Sequence, residues 1–123
     1  MISYQVYKVM HFVGMFMMFI SLGAIFAKMI EGNWQNFQWR KTVLYTHGIA
    51  LLMVITGGFG LLARLGIKHA HLPGWAIAKF AIWFLFACMV FILVRKNHWA
   101  KYFWFAAIVL GFSAAVIVLY KPF

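Results

Sequence analysis

The sequence predicts an all-α integral membrane protein, a four-helix antiparallel bundle of up-down-up-down topology, on three observations. Hydrophobic residues make up 67% of the 123 residues and aromatics 20%, with a mean hydropathy of +0.93, so the chain is too apolar to present a water-compatible surface around one core. Four apolar runs approach the roughly 20 residues needed to cross a bilayer core of about 30 Å. The segments between them are short, which makes consecutive helices pack antiparallel.

The helices are expected over about residues 6–28, 41–64, 74–95 and 100–120, together one four-span domain covering residues 1–123. The first run reads as a retained helix and not a cleaved signal, because it is long, lacks a small-residue cleavage pattern and is followed by three more spans. The second contains "TGGFG" at 56–60, small residues that let helices approach closely. The third is the only span with a charge well inside it, Lys79. The fourth follows the basic stretch "VRKNHWAK" at 94–101. No low-complexity linker or internal repeat divides the chain.

The net charge of +10 comes from 11 Lys and Arg against the single acid Glu31. In a soluble protein that balance suggests nucleic acid. Here the basic residues cluster at helix ends, where they meet anionic headgroups, so the expected partner is the lipid bilayer and not nucleic acid. Lys8, Arg64, Lys68 and Lys121 fall on the side of the N-terminus; Lys28, Arg40, Lys41, Arg95, Lys96 and Lys101 fall on the other. The excess on the second side favours it as cytoplasmic, which predicts a multi-pass protein of a bacterial-type inner membrane with both termini on the non-cytoplasmic face. Cys88 is alone, so no intramolecular disulfide forms. A single carboxylate side chain excludes paired-carboxylate acid–base chemistry, and neither a Gly-rich phosphate loop nor a Ser-His-Asp set is visible.

Depth sorts the histidines. His11 lies three residues beyond Lys8, about 5 Å into the membrane, and Lys79 enters from the same side to about 7–8 Å. His47 enters from the opposite side to about 9 Å, leaving about 15 Å along the membrane normal between it and His11. That separation excludes one iron held by both. His11, Gly14, Met15 and Met18 follow at i, i+3, i+4 and i+7, an imidazole, a gap and two thioethers on one helix face. Such a face either receives a flat macrocycle, with His11 as axial ligand and a Met such as Met15 as a second, or packs against a neighbouring helix to which His11 hydrogen-bonds. Lys79, flanked by Trp75 and Trp83, is either an interfacial anchor or a cation for an anionic tetrapyrrole or a quinone. His47 is expected to hydrogen-bond across a helix interface and His98 to sit at the membrane surface. His69 and His71 have metal-compatible spacing but no neighbouring Cys, Asp or Glu to complete a site.

Four fragments in order, "YKVMHFVGMF" with His11, "ITGGFGLLA", "GWAIAKF" with Lys79, and the closing "VIVLYKPF", resemble the HemJ-type protoporphyrinogen IX oxidases. Trp75-x-x-x-Lys79 and the final Lys-Pro-Phe are the most specific parts. SirB-like and copper-resistance D-like four-helix membrane proteins share weaker versions of the first two fragments. The resemblance implies a membrane enzyme that binds haem b and removes electrons and protons from protoporphyrinogen IX, with His11 on the haem iron and Lys79 as the polar partner of substrate or propionate. The chain departs from the family pattern at "FAKMIEGNW", "FACMVFILVRK" and "HWAKYFWFAAIVLG", where the family carries an Arg with a Tyr-His element, a His pair and an Asn-Glu.

Two functions from different classes follow. In the first, a haem-b-binding redox protein acts on a tetrapyrrole or passes electrons to quinone: His11 holds iron, Met15 lines the cofactor, and Lys79 with Arg64 neutralises carboxylates. In the second, a non-catalytic accessory subunit packs against a larger respiratory or transport complex, or against copies of itself. The scarcity of polar residues inside three of the four spans favours the latter.

Overall fold

The computed structural model describes residues 3–64, 66 and 74–120; Lys68, His69, His71 and the closing Lys-Pro-Phe lie outside these. The elements are α1 (Tyr4–Ile30), α2 (Arg40–Arg64), α3 (Gly74–Arg95) and α4 (Ala100–Tyr120), with 3-10 turns at Trp34–Asn36 and Asn97–Trp99. Each of the four helices is long and apolar enough to cross a membrane.

α1 runs two residues further at each end than the hydropathy pattern suggests, because both ends are capped. Ser3 Oγ accepts from the Val6 N–H at 3.3 Å. At the other end Gly32 takes φ 80°, which lets its N–H reach the Met29 carbonyl at 3.1 Å and the Asn33 N–H reach the Lys28 carbonyl at 2.9 Å. The connections also use side chains to satisfy carbonyls: Arg40 donates to the carbonyls of Trp34 and Gln35, and Asn97 donates to that of Leu93 at the end of α3.

α1 and α2 form the most intimate pair. The Tyr7 ring lies on Gly60, the His11 backbone on Gly57, and Gly14 on Met53 and Val54, so successive positions along α1 meet progressively earlier positions of α2. A Cβ added at Gly57 would meet the His11 nitrogen at 2.8 Å, and one at Gly14 would meet Met53 Cβ at 2.9 Å. Between apolar helices in lipid, association depends on such close van der Waals contact and not on water exclusion, so small residues at the crossing supply the attraction. Backbone approaches continue around a ring, α2 with α3, α3 with α4 and α4 with α1, while α1 and α3 meet across the bundle through side chains such as Phe19 and Phe86, whose ring centroids are 5.4 Å apart.

Packing is uneven along the bundle. Leu22, Ile25 and Leu93 are fully buried, surrounded by Phe26, Met29, Phe86, Met89, Ala100 and Ala107. These belong to the second half of α1, the second half of α3 and the start of α4. Toward the other end the first half of α3 buries only Ala76, and α4 buries nothing beyond Ala107, among the described residues. The bundle is therefore closed at one end and looser at the end where α1 begins.

Candidate functional site

His11 stands near the looser end, on the third turn of α1, and is 8% exposed. Its Nδ1 lies 2.8 Å from the Val54 carbonyl oxygen. A carbonyl only accepts, so Nδ1 carries the proton and Nε2 keeps its lone pair. α2 supplies the bed as well as the acceptor: Gly57 sits under the His11 backbone, and a Cβ at Gly58 would lie 3.4 Å from Cε1. His11 thus makes the interhelical hydrogen bond that a packing role requires. The same bond is the second-sphere contact that orients a metal-ligating imidazole and fixes its tautomer.

Lys79 is half-buried in the second turn of α3, and its charge is an electrostatic neighbour of His11. Its helix is fastened to α2 by the Trp83 indole, which donates to the Leu51 carbonyl at 3.0 Å, and by Phe80, whose ring lies 5.5 Å from Trp83 and 6.2 Å from Phe59. Arg64 ends α2 one turn beyond Gly60, exposed and level with the start of α1. Met15 is half-buried one turn deeper than His11, whereas Met18 belongs to the buried core.

The helix face that carries His11, Gly14, Met15 and Met18 is divided between these uses. The notch at Gly14 is filled by Met53 and Val54 of α2, and Met18 is walled in, so a flat ligand does not enter there. The ring nitrogen that Val54 does not engage is Nε2. Val54 escaped sequence reasoning because a backbone carbonyl leaves no side-chain signal; "TGGFG" was the only trace of this arrangement.

His47 departs from expectation. It is 3% exposed, yet neither ring nitrogen meets a hydrogen-bond partner among the described residues. The Phe86 carbonyl faces the ring without reaching hydrogen-bond geometry. Continuing the α1–α2 register puts Ser21 level with His47, but the Ser21 hydroxyl donates to the Met18 carbonyl of its own helix at 2.9 Å. The interfacial hydrogen bond is therefore not formed. His11 rests on Gly57, ten residues along α2 from His47, which keeps the two imidazoles about 15 Å apart. Leaving a buried polar group unpaired costs about 1–3 kcal/mol, so His47→Leu is expected to raise stability by up to about that amount. Thermal unfolding in mild detergent measures this, and a lower melting temperature for the variant would show that the imidazole is satisfied in the membrane.

At the closed end His98 is exposed and edge-on to Trp99, with ring centroids 6.0 Å apart. Lys28 lies 5.2 Å from the Phe37 ring centroid and Lys96 5.4 Å from that of Trp99. Cations and aromatic rings thus alternate as they do in an interfacial belt. Compared with family models, curated proteins and solved structures, the chain matches none.

Proposed function

We propose that the helices cross a bacterial-type inner membrane as an up-down-up-down bundle with both termini on the non-cytoplasmic face, and that the protein is a haem-b-binding redox protein acting on a tetrapyrrole, as protoporphyrinogen IX oxidases do. The observation that carries this reading is His11, whose Nδ1–H is tied to Val54 so that Nε2 offers a lone pair, with the Lys79 charge nearby. The donor chemistry fits a haem. His11 Nε2 is the iron ligand, Met15 the thioether contact one turn deeper, and Lys79 and Arg64 the cations for carboxylates. Haem supplies reversible one-electron chemistry when bound.

The chain's own contribution is orientation and electrostatics. The Val54 carbonyl draws on the Nδ1 proton, which makes Nε2 more basic and holds the ring in one pose. Apolar surroundings at Lys79, with Phe80 and Trp83 on the same helix, would strengthen an ammonium–carboxylate contact relative to the same contact in bulk solvent. Quinone dissolved in the bilayer is the electron acceptor in this scheme.

One observation favours the accessory-subunit reading instead. Beyond Ala107, α4 presents Ile108, Val109, Phe112, Leu119 and Tyr120 outward, an apolar surface suited to a larger membrane complex or a second copy as much as to lipid.

Complementation separates the two. The chain is expected to restore growth of a strain lacking its protoporphyrinogen oxidase, and Lys79→Gln at matched expression is expected to lower turnover roughly ten- to hundredfold while haem content stays near normal. Failure of the wild type with haem bound removes the oxidase assignment and leaves a redox protein. A colourless, folded protein that also fails to complement supports the accessory subunit.

A further inference from the structure

The end of the bundle opposite His11 carries a second candidate site. Ala27, Ile30 and Glu31 from the end of α1, with Lys101, Trp104 and Phe105 from the start of α4, line an open cleft of about 370 Å³. It lies about 28 Å along α1 from His11 and is independent of the haem reading.

Both charges in the cleft stand at the unfavourable end of a helix. Glu31, the only acid in the chain, is the C-cap of α1, where the last carbonyls already present negative charge. Lys101 is in the first turn of α4, which continues the 3-10 turn Asn97–Trp99, and so stands near the positive end of that helical run. The two do not cancel each other by pairing. Glu31 accepts from Asn33 Nδ2 at 3.5 Å, the Lys101 ammonium lies 5.3 Å from the Tyr102 ring centroid, and no ion pair joins Glu31 to Lys101. Lys28, in the same turn as Glu31, is turned toward Phe37. The walls are apolar, and the Trp104 ring is steadied edge-on by Phe26 at 6.1 Å.

The geometry points to a binding site for an amino-phospholipid of the phosphatidylethanolamine class. Its phosphate meets Lys101, its ammonium meets Glu31, and an acyl chain follows Ile30 and Phe105. Each helix end then faces the charge its dipole favours. A phosphatidylcholine headgroup has no N–H to donate to Glu31, and phosphatidylglycerol has no cation at all. Among headgroups carrying a phosphate, ethanolamine therefore uses both sides of the cleft.

The test is native mass spectrometry of the full chain in mild detergent, titrated separately with phosphatidylethanolamine, phosphatidylcholine and phosphatidylglycerol of matched acyl chains. Wild type is expected to retain phosphatidylethanolamine about tenfold better than either of the others, the increment of one charge-assisted hydrogen bond. Glu31→Gln is expected to reduce that lipid to the phosphatidylcholine level, and Lys101→Gln to weaken all three. Lys96→Gln, a cation outside the cleft, should leave the preference unchanged. Glu31 and Lys101 are exposed, so the variants should keep wild-type helicity, which circular dichroism checks. Equal retention of the three lipids by wild type, retention of none, an unchanged preference in Glu31→Gln, or an equal loss in Lys96→Gln overturns the site.

Discussion

Gly57→Ala is expected to lower the stability of the folded chain by about 1–3 kcal/mol, while Gly48→Ala, more than two helical turns short of the crossing with His11, is expected to cost nothing. The contrast comes from what each new methyl would meet. At Gly57 it would lie 2.8 Å from the His11 backbone nitrogen and 3.0 Å from its Cα, atoms that cannot swing away as a flexible side chain can; at Gly48 nothing lies within 4 Å. Gly57→Leu enlarges the obstruction beyond what a small helix shift absorbs and is expected to separate α1 from α2. Unfolding by denaturant titration in detergent measures both variants. Equal stability of Gly57→Ala and Gly48→Ala would show that α1 and α2 do not cross at His11. Because Gly57 also forms the bed of the imidazole, its replacement should weaken any ligand held by Nε2 even where the chain still folds.

The helices were readable in the sequence because long apolar runs bounded by charged residues leave little choice of structure, and the end caps moved α1 by only two residues at each end. The proximity of Lys79 to His11 was also readable, since it follows from the rise per residue and from the end of the bundle at which each helix starts. What the sequence concealed is which face meets which. α4, and α3 apart from Lys79, are apolar all round, so periodicity does not select a contact stripe on them. The Gly14 notch reads equally well as a cradle for a macrocycle and as a seat for Met53 and Val54; only the partner helix decides between them. His47 illustrates the same gap in another way. Its burial between helices was foreseeable, but its lack of a partner depends on Ser21 turning its hydroxyl back to its own helix, which spacing does not encode. The looser packing around the first half of α3 had no signal in composition at all.

The most direct measurement of the central claim, that His11 Nε2 is a haem ligand at the looser end of the bundle, is a haemin titration of purified chain followed by absorption spectroscopy. Wild type is expected to take up one equivalent with a sharpened Soret band and, on reduction, resolved α and β bands. His11→Ala should weaken uptake at least about a hundredfold, since even the loss of a contact orienting a metal ligand costs ten- to hundredfold. Lys79→Gln should keep the spectrum, its charge acting on carboxylates and not on iron. His47→Ala should keep it as well, because that ring lies about 15 Å away along α2. A wild-type chain that is folded but takes up no haemin, or a His11→Ala variant whose affinity and spectrum equal those of wild type, would contradict the assignment.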